Sequence, residues 1–540
     1  MMKVYEYISK KIKENGVTNV FGVPGSYIMP IWQNIDIPIT LCTHEGDASY
    51  IASAYSKRAQ ELSVVLVTSS PGVSNAISGI ASAYRDSVPL LIISGTTSIS
   101  CQGLGAFQEE SDYDRAFCSV EITKPIVKKN YIIKDVNDVE KVFNEALGLT
   151  TIGRPGPVHI SIPVDIQNME MELNTVNIYD KSAAIKNLLP AFKIEVSTPL
   201  IIIGRGCYKR EDVASINRFS NKIAAPIICS MKGMSYIEDN SFSIGCVGMG
   251  ANEENIDFIK KYKPQNIFCF GTSLSKKDFE SIYEELQDAN LYIFSLEDTY
   301  SYKFTKYNYC KTQSIKFVVD YLCKNVLSAN DKTIYQLRND IIELKKIREL
   351  KLKERIKKSG LMAQSIYYIM RNVDMNTIVS ADAGNHYLDA INCFTPRNYG
   401  TFYIDAGLAA MGNGICTSIG VSIGELDKHH ICITGDGCML MNGTSIYTAK
   451  KLNLPIVFVV FNNCSLGRVR IGQMKEKKFI GSDIFGCDFK RFGEGMNIDS
   501  YQVENLSQLK QVFDLIKNKK ETILIEVICS HNEIPLGLKG

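Results

Sequence analysis

Residues 429–443 read HHICITGDGCMLMNG, and residues 454–463 read LPIVFVVFNN. Each holds a β-branched apolar run that stops abruptly at small or polar residues, as a strand of a parallel sheet does. The first run ends at Thr434, which puts Asp436 just past a strand's carboxyl end with a glycine on each side; the second closes on Asn462 and Asn463. Residues 438–461 separate GDG from NN, enough for one helix and the next parallel strand. Open α/β sheets bind ligands outside the carboxyl ends of their strands. An Asp carboxylate with Asn carbonyl oxygens is a hard, oxygen-only donor set suited to Mg²⁺ or Ca²⁺, with phosphate oxygens completing the octahedron. The glycines let backbone N–H groups approach an anion, and a helix starting there turns its positive end to phosphate.

Outward from this pair, short apolar runs alternate with amphipathic helical stretches along the whole chain. TNVFGV, SVVLVTSS and VPLLIISG form one series; TPLIIIGRG, AAPIICS, NIFCFGT and NLYIFSLED a second; NTIVSADAG, HHICITGDG, LPIVFVVFNN and TILIEVICS a third. Such alternation predicts an α/β protein of three doubly wound α/β domains with mainly parallel sheets, and 540 residues are too many for one core. Residues 167–195 lose strand periodicity, and 328–358 is a charged helical stretch read as a solvated linker. The expected domains are therefore 1–175, 188–330 and 355–540.

A formal net charge of +2 offers no electrostatic case for nucleic acid, and no run approaches the roughly 20 apolar residues of a membrane span. The N-terminal MMKVYEYISKKIKENG reads as an amphipathic helix without a signal h-region, so a cytoplasmic protein is expected. Sixteen cysteines without a C-x-x-C pair read as buried, reduced thiols.

The GDG and NN spacing resembles that of thiamine diphosphate (ThDP)-dependent enzymes. The resemblance extends through VFGVPGSYIMPIW, TSSPGVSNAISGIASAYRDSVPLLIISG, GAFQEES, GRPGPVHISIPVDIQ, DAGNHYLD and GLAAMGNG, which occur in the order of the acetohydroxyacid synthase (acetolactate synthase) branch. It implies Mg²⁺ held by Asp436, Asn463 and the Ser465 carbonyl, and a pyrimidine-binding first domain, a middle domain and a diphosphate-binding third domain. The diphosphate would be met by Asn385, His386, Gly437, Cys438, Leu466 and Gly467, with Gly407 and Met411 beneath the bent cofactor. Glu45 of CTHEGDASY would be the carboxylic acid that starts proton transfer on the pyrimidine, with Gln108 and Phe107 on the substrate side. It implies decarboxylation of a 2-keto acid, most simply pyruvate, with ligation of the resulting enamine to a carbonyl acceptor by a transferase. It also implies a homodimer or homotetramer whose sites lie across an interface. His44 and His159 read as structural.

Four positions depart from a housekeeping synthase. Ser26 replaces a glycine and resembles the serine of benzoylformate decarboxylase; Arg468 stands for a methionine, Gly472 for a tryptophan and Val164 for a lysine. Losing an indole while gaining a guanidinium predicts a bulkier or anionic acceptor. In the middle domain IIIGRGC is a weak nucleotide signal and FGTSLSKKDFE lacks the flavin-binding pattern, so tightly bound FAD is not favoured. The alternative activity is a 2-keto acid decarboxylase that releases an aldehyde; a regulatory paralogue without activity is disfavoured by intact Glu45, Asp436 and Asn463.

Overall fold

The computed structural model describes residues 1–110, 117–173, 193–298 and 303–538. The strands, in chain order, are β1 (Met2–Lys3), β2 (Val20–Gly22), β3 (Ile39–Leu41), β4 (Ser63–Val67), β5 (Leu90–Thr96), β6 (Lys129–Ile132), β7 (Pro157–Pro163), β8 (Glu170–Met171), β9 (Pro199–Ile203), β10 (Ile227–Cys229), β11 (Ser243–Cys246), β12 (Asn266–Phe270), β13 (Asn290–Ser295), β14 (Tyr307–Lys311), β15 (Ile378–Ala381), β16 (Phe402–Ile404), β17 (His430–Gly435), β18 (Ile456–Asn462), β19 (Asp499–Val503) and β20 (Ile523–Ile528). Apart from the β1-β8 ribbon they form three six-stranded sheets, ordered 3-2-4-5-7-6, 11-10-9-12-13-14 and 16-15-17-18-20-19. Pairing within all three is parallel. The expected α/β class with three doubly wound sheets is what the chain adopts.

Parallel sheets need both faces covered, which is why their strands read as unbroken apolar runs. In the first sheet Val64, Leu66, Leu91, Ile93, Val158 and Ile160 have no exposed surface, and in the third Ile433, Phe458, Val459 and Ile525 have none. Each sheet has one switch point, where the chain returns past its first strand: β2/β4, β9/β12 and β15/β17. The crevice at a switch point is where this architecture leaves room for a ligand.

The chain divides into two compact units: Met1–Ala184 with Gly407–Asp427 and Asn442–Leu454, and Ile185–Ala406 with Lys428–Met441 and Pro455–Gly540. The expected boundary between residues 175 and 188 lies outside the described residues. The stretch read as a solvated linker is a single helix, Asp331–Lys357, capped by Asn330, whose side chain accepts from Thr333 N. It buries Leu337, Ile341, Leu344, Leu352 and Ile356 at helical spacing, and with them Arg348, which donates to Ile244 O (2.7 Å) and Asn255 Oδ1 (3.0 Å). The helix is a packed element rather than a bare linker, because a narrow apolar stripe underlies its charge. No described helix is long and apolar enough to cross a membrane. All sixteen cysteines are free.

Candidate active site

The third sheet's switch point carries the residues that the sequence singled out. β17 ends at Gly435, and Asp436 opens the helix Asp436–Asn442. β18 ends at Asn462, so Asp436 and Asn463 emerge from neighbouring strands. Their backbone and side chains are knitted together. Gly437 N donates to Asp436 Oδ1 (2.7 Å), while Asn463 N (3.1 Å) and Ser465 N (3.2 Å) donate to Oδ2. Ser465 N also reaches Asn463 Oδ1 (3.1 Å). Asp436 is buried, which pushes its carboxyl above the ordinary value against the pull of those N–H groups. No cationic side chain pairs with it among the described residues, so its charge is held by backbone dipoles alone.

Across the crevice, β15 leads through Asp382 into the helix Asn385–Cys393. Thr434 Oγ1 donates to Asp382 Oδ2 (3.2 Å), tying the two strand ends together. His386 bonds the Asp382 backbone and stacks on Phe461 (6.4 Å, 14°), and burial holds its pKa down near 4, so the ring is neutral at physiological pH. Two polar atoms here are buried without a partner: His386 Nε2 and Asn385 Oδ1. Buried polar atoms are ordinarily satisfied, and an exception asks for a ligand. Gly435 has a reason the sequence did not reveal: a Cβ there would sit 2.8 Å from the His386 ring. Gly467 is likewise a close approach, because its Cβ would meet Asn385 Nδ2 at 2.4 Å. Cys438 is buried, with Sγ to Ala383 O at 3.1 Å. The Leu466 N–H is taken by Ser482 O (2.7 Å), so of the predicted pair Gly467 leads into the helix Gly467–Gln473.

Among the described residues no three His, Cys, Asp or Glu side chains gather as a metal cluster. A cation here would take one carboxylate, with amide and carbonyl oxygens beside it. That set, facing unpartnered His386 and Asn385, fits Mg²⁺ with a diphosphate, since hard cations accept mixed oxygen donors and share phosphate oxygens.

The first sheet gathers the other predicted residues at its own carboxyl edge. Ser26 follows β2 and is exposed. Glu45 follows β3 and begins the helix Glu45–Ala59, whose N-cap is His44; His44 Nδ1 accepts from Gly46 N (3.0 Å) and Glu45 Oε2 accepts from Asn75 Nδ2 (3.0 Å). Beyond β4, Ser69 Oγ donates to Gln108 O (2.5 Å), and Tyr27 OH donates to Phe107 O (2.6 Å). Ser26, Phe107 and Gln108 are thus brought into one loop cluster. Phe107 is 77% exposed. Gln108 and Ser70 both have positive φ, +52° and +38°. Glu110, which the sequence did not mark, fixes that strained corner: buried, it accepts from Ser70 N and Ser119 Oγ, and desolvation raises its pKa to about 6. His159 is fully buried between Ser94 Oγ (2.8 Å) and Thr123 Oγ1 (2.9 Å), and burial drives its pKa to about 3, so its part is structural.

Gly407 and Met411 lie in the loop before the helix Asn413–Ile423, in the same compact unit as Glu45. Gly412 (φ +86°) packs on Asn442, whose Nδ2 donates to Asp47 Oδ1 (2.6 Å). Asp47 is buried two residues from Glu45, so Asn442, bonded to Asp47 and packed on Gly412, lies between the start of the Glu45 helix and the Met411 loop. Glu526, with no exposed surface, holds Asn462 Nδ2 (2.7 Å) and Gln502 Nε2 (2.9 Å). Asp47, Asp382 and Glu526 were missed; the one visible signal was a lone carboxylate inside the apolar run ILIEVI.

Residues 2–116 match the family described as thiamine pyrophosphate enzyme, N-terminal TPP binding domain, and residues 382–527 match its C-terminal TPP binding domain. The two strand-end clusters fall inside those segments, and the chain belongs to the thiamine pyrophosphate enzymes. It is similar to the acetolactate synthase large subunit of Buchnera aphidicola subsp. Schizaphis graminum (28% identical over 496 residues, 87% of this chain and 83% of that protein). It is also similar to acetolactate synthase isozyme 3 large subunit of Escherichia coli K12 (25% over 582 residues, 100% and 97%) and to the chloroplastic acetolactate synthase of Arabidopsis thaliana (25% over 579 residues, 98% and 81%). Within the family it is an enzyme of the acetolactate synthase type. The fold matches that of a Mycobacterium smegmatis protein described as thiamin diphosphate-dependent (TM-score 0.78, 17% identity, 98% of this chain and 99% of that one).

Proposed function

We propose that this enzyme decarboxylates a 2-keto acid, pyruvate in the simplest case, and joins the retained fragment to a carbonyl acceptor. The observation that carries the reading is the Asp436, Asn463 and Ser465 knot facing the unpartnered His386 Nε2 and Asn385 Oδ1. Bound ThDP supplies a nucleophilic carbon and an electron sink for decarboxylation. The chain's part is position and charge. Asp436, Asn463 and the Ser465 carbonyl would hold Mg²⁺, and His386, Asn385, Cys438 and the backbone at Gly437 and Gly467 would hold the diphosphate. Glu45 would hold the proton exchanged at the pyrimidine, Met411 and Gly407 would support the cofactor, and Ser26, Gln108 and Phe107 would orient the donor. The first sheet and its helices are the pyrimidine-binding domain and the third the diphosphate-binding domain. Two subunits complete each site in a cytoplasmic homodimer, or a homotetramer built from it.

The reading does not include tightly bound flavin: at the middle sheet's switch point Gly204 N and Gly206 N already donate to Phe270 O (2.9 Å) and Gly271 O (2.8 Å), while Arg205 Nε and Nη1 in the same turn are buried without a partner.

The deciding assay is purified protein with ThDP, Mg²⁺ and pyruvate, following carbon dioxide and identifying products by NMR. A new carbon–carbon bond supports the proposal; free acetaldehyde as sole product replaces it with the decarboxylase. Glu45→Gln is expected to keep ThDP affinity and slow hydrogen–deuterium exchange at the cofactor's reactive carbon by ~10²-fold or more. Unchanged exchange by NMR would remove Glu45 from its role.

A further inference from the structure

On the reading just given, the retained fragment goes to a carbonyl acceptor, and the segment that follows the metal site carries Arg468 and Gly472. That segment, 464–484, is a closed loop. Ile484 N donates to Cys464 O (2.8 Å), Leu466 N and Ser465 Oγ both reach Ser482 O (2.7 and 2.9 Å), and Ser465 bridges to Asp483. Midway, Gln473 bonds both backbone groups of Ile480 (2.9 and 3.3 Å). The loop is therefore rooted at a metal-site residue and braced across its middle.

Between residues 467 and 483 it carries five cations, Arg468, Arg470, Lys475, Lys477 and Lys478, against Glu476 and Asp483. The excess exceeds the net charge of the whole chain, +2. The two arginines, alike in sequence, do different things. Arg470 is structural: its guanidinium lies 4.2 Å over the Phe479 ring and 2.5 Å from Asp483, with its side chain only 12% exposed. Arg468 is exposed and forms no ion pair among the described residues, and the same holds for Lys475, Lys477 and Lys478. With Arg470 paired to Asp483, four exposed cations face a single exposed carboxylate, Glu476, on a short braced loop, and their repulsion is one that a bound polyanion would relieve. Space is available too, since a Cβ at Gly472 would meet nothing within 4 Å, and Val469 (47%) and Ile480 (63%) leave apolar surface beside the charges.

We propose that Gly467–Asp483 is the acceptor-binding element, and that the acceptor is a phosphorylated carbonyl compound whose phosphate is held by Arg468 with Lys475, Lys477 and Lys478. One cation balances a carboxylate; a phosphate dianion takes several and suits the planar fork of arginine. Arg470, stacked and paired, keeps the loop in shape.

The test uses the full chain loaded with ThDP and Mg²⁺, and three acceptors: D-glyceraldehyde and D-glyceraldehyde 3-phosphate, which share a carbon skeleton, and succinic semialdehyde as an aldehyde carrying a carboxylate. Affinity is read by titration calorimetry without donor, and ligation by NMR with pyruvate. The expected result is at least about tenfold tighter binding and lower KM for the phosphate ester, weakening between about 50 mM and about 300 mM salt. The preference should vanish in R468Q/K475Q/K477Q/K478Q, with folding checked by circular dichroism. Equal affinity for the neutral aldehyde, equal affinity for the carboxylate, or a preference surviving in the variant would each overturn the proposal. Failure of the underlying reading looks different: no carbon dioxide from pyruvate with any acceptor, while the titrations still report on the loop.

Discussion

The middle and third sheets are each six parallel strands with a single switch point, wound in different orders, and their crevices differ in what they leave open. At β15/β17 the crevice is walled by Asp382, Asn385, His386 and Asp436, with two buried polar atoms unpartnered. At β9/β12 the strand ends close on each other: a Cβ on Gly204 would lie 2.3 Å from Gly271 O, and one on Gly206 2.7 Å from Gly271 Cα. The Gly204 and Gly206 N–H groups are already bonded there, to Phe270 O and Gly271 O, and what that turn leaves unpartnered is Arg205, whose Nε and Nη1 are buried. Topology supplies a place for a ligand in both sheets, and residues decide whether the place stays open.

The largest break in this contrast comes from removing the open crevice's charge. Asp436→Ala is expected to raise the ThDP dissociation constant in Mg²⁺ by more than about 100-fold, because it deletes the only carboxylate of the donor set. Wild-type affinity by calorimetry would sink the metal assignment. The converse break is Gly271→Ala. Gly271 has φ +56° and its Cβ would meet Gly206 C at 2.6 Å, so the substitution should destabilise the protein by ~2–4 kcal/mol and leave ThDP affinity within about twofold. An affinity loss without a stability loss would show that the middle crevice serves the cofactor.

A smaller effect sharpens the comparison. Glu526 touches no predicted ligand but holds Asn462, the neighbour of Asn463. Glu526→Leu is expected to weaken Mg²⁺-dependent ThDP binding by about 10-fold, as supporting residues of metal sites do, while Glu526→Gln recovers most of it through its remaining oxygen. If both variants bind alike, Glu526 serves packing only.

Sequence reading reached the strand ends, because GDG, NN and the apolar runs before them are local patterns with fixed meaning. It did not reach Asp47 with Asn442, Asp382 with Thr434, or Glu526 with Asn462, whose partners are distant in the chain and ordinary in composition. The part of Arg470 was not legible either, because the Phe479 ring and Asp483 that take its guanidinium lie further along the chain. The helix Asp331–Lys357 looked solvated because its buried stripe includes Arg348, a charge that only its partners Ile244 O and Asn255 explain.

The smallest expected effect separates two buried carboxylates of the same region. Asp436 faces the crevice, whereas Asp389, on the far part of the helix Asn385–Cys393, accepts from Leu536 N (2.8 Å) and has its pKa raised to about 7, chiefly by burial. A carboxyl whose folded pKa exceeds its unfolded value holds its proton more tightly in the native state. Its contribution to stability is full below pH ~4 and is lost as pH rises to about 7, with a ceiling of about 4 kcal/mol. Asp389→Asn keeps an oxygen for Leu536 N and cannot ionise. It should therefore raise the melting temperature by about 2 °C at pH 8 and by less at pH 5, a difference that Asp436→Asn, which removes a functional charge, has no reason to reproduce. A pH-independent shift would mean that Asp389 is already ionised in the folded protein, and that burial in this helix is less complete than its 1% exposure indicates.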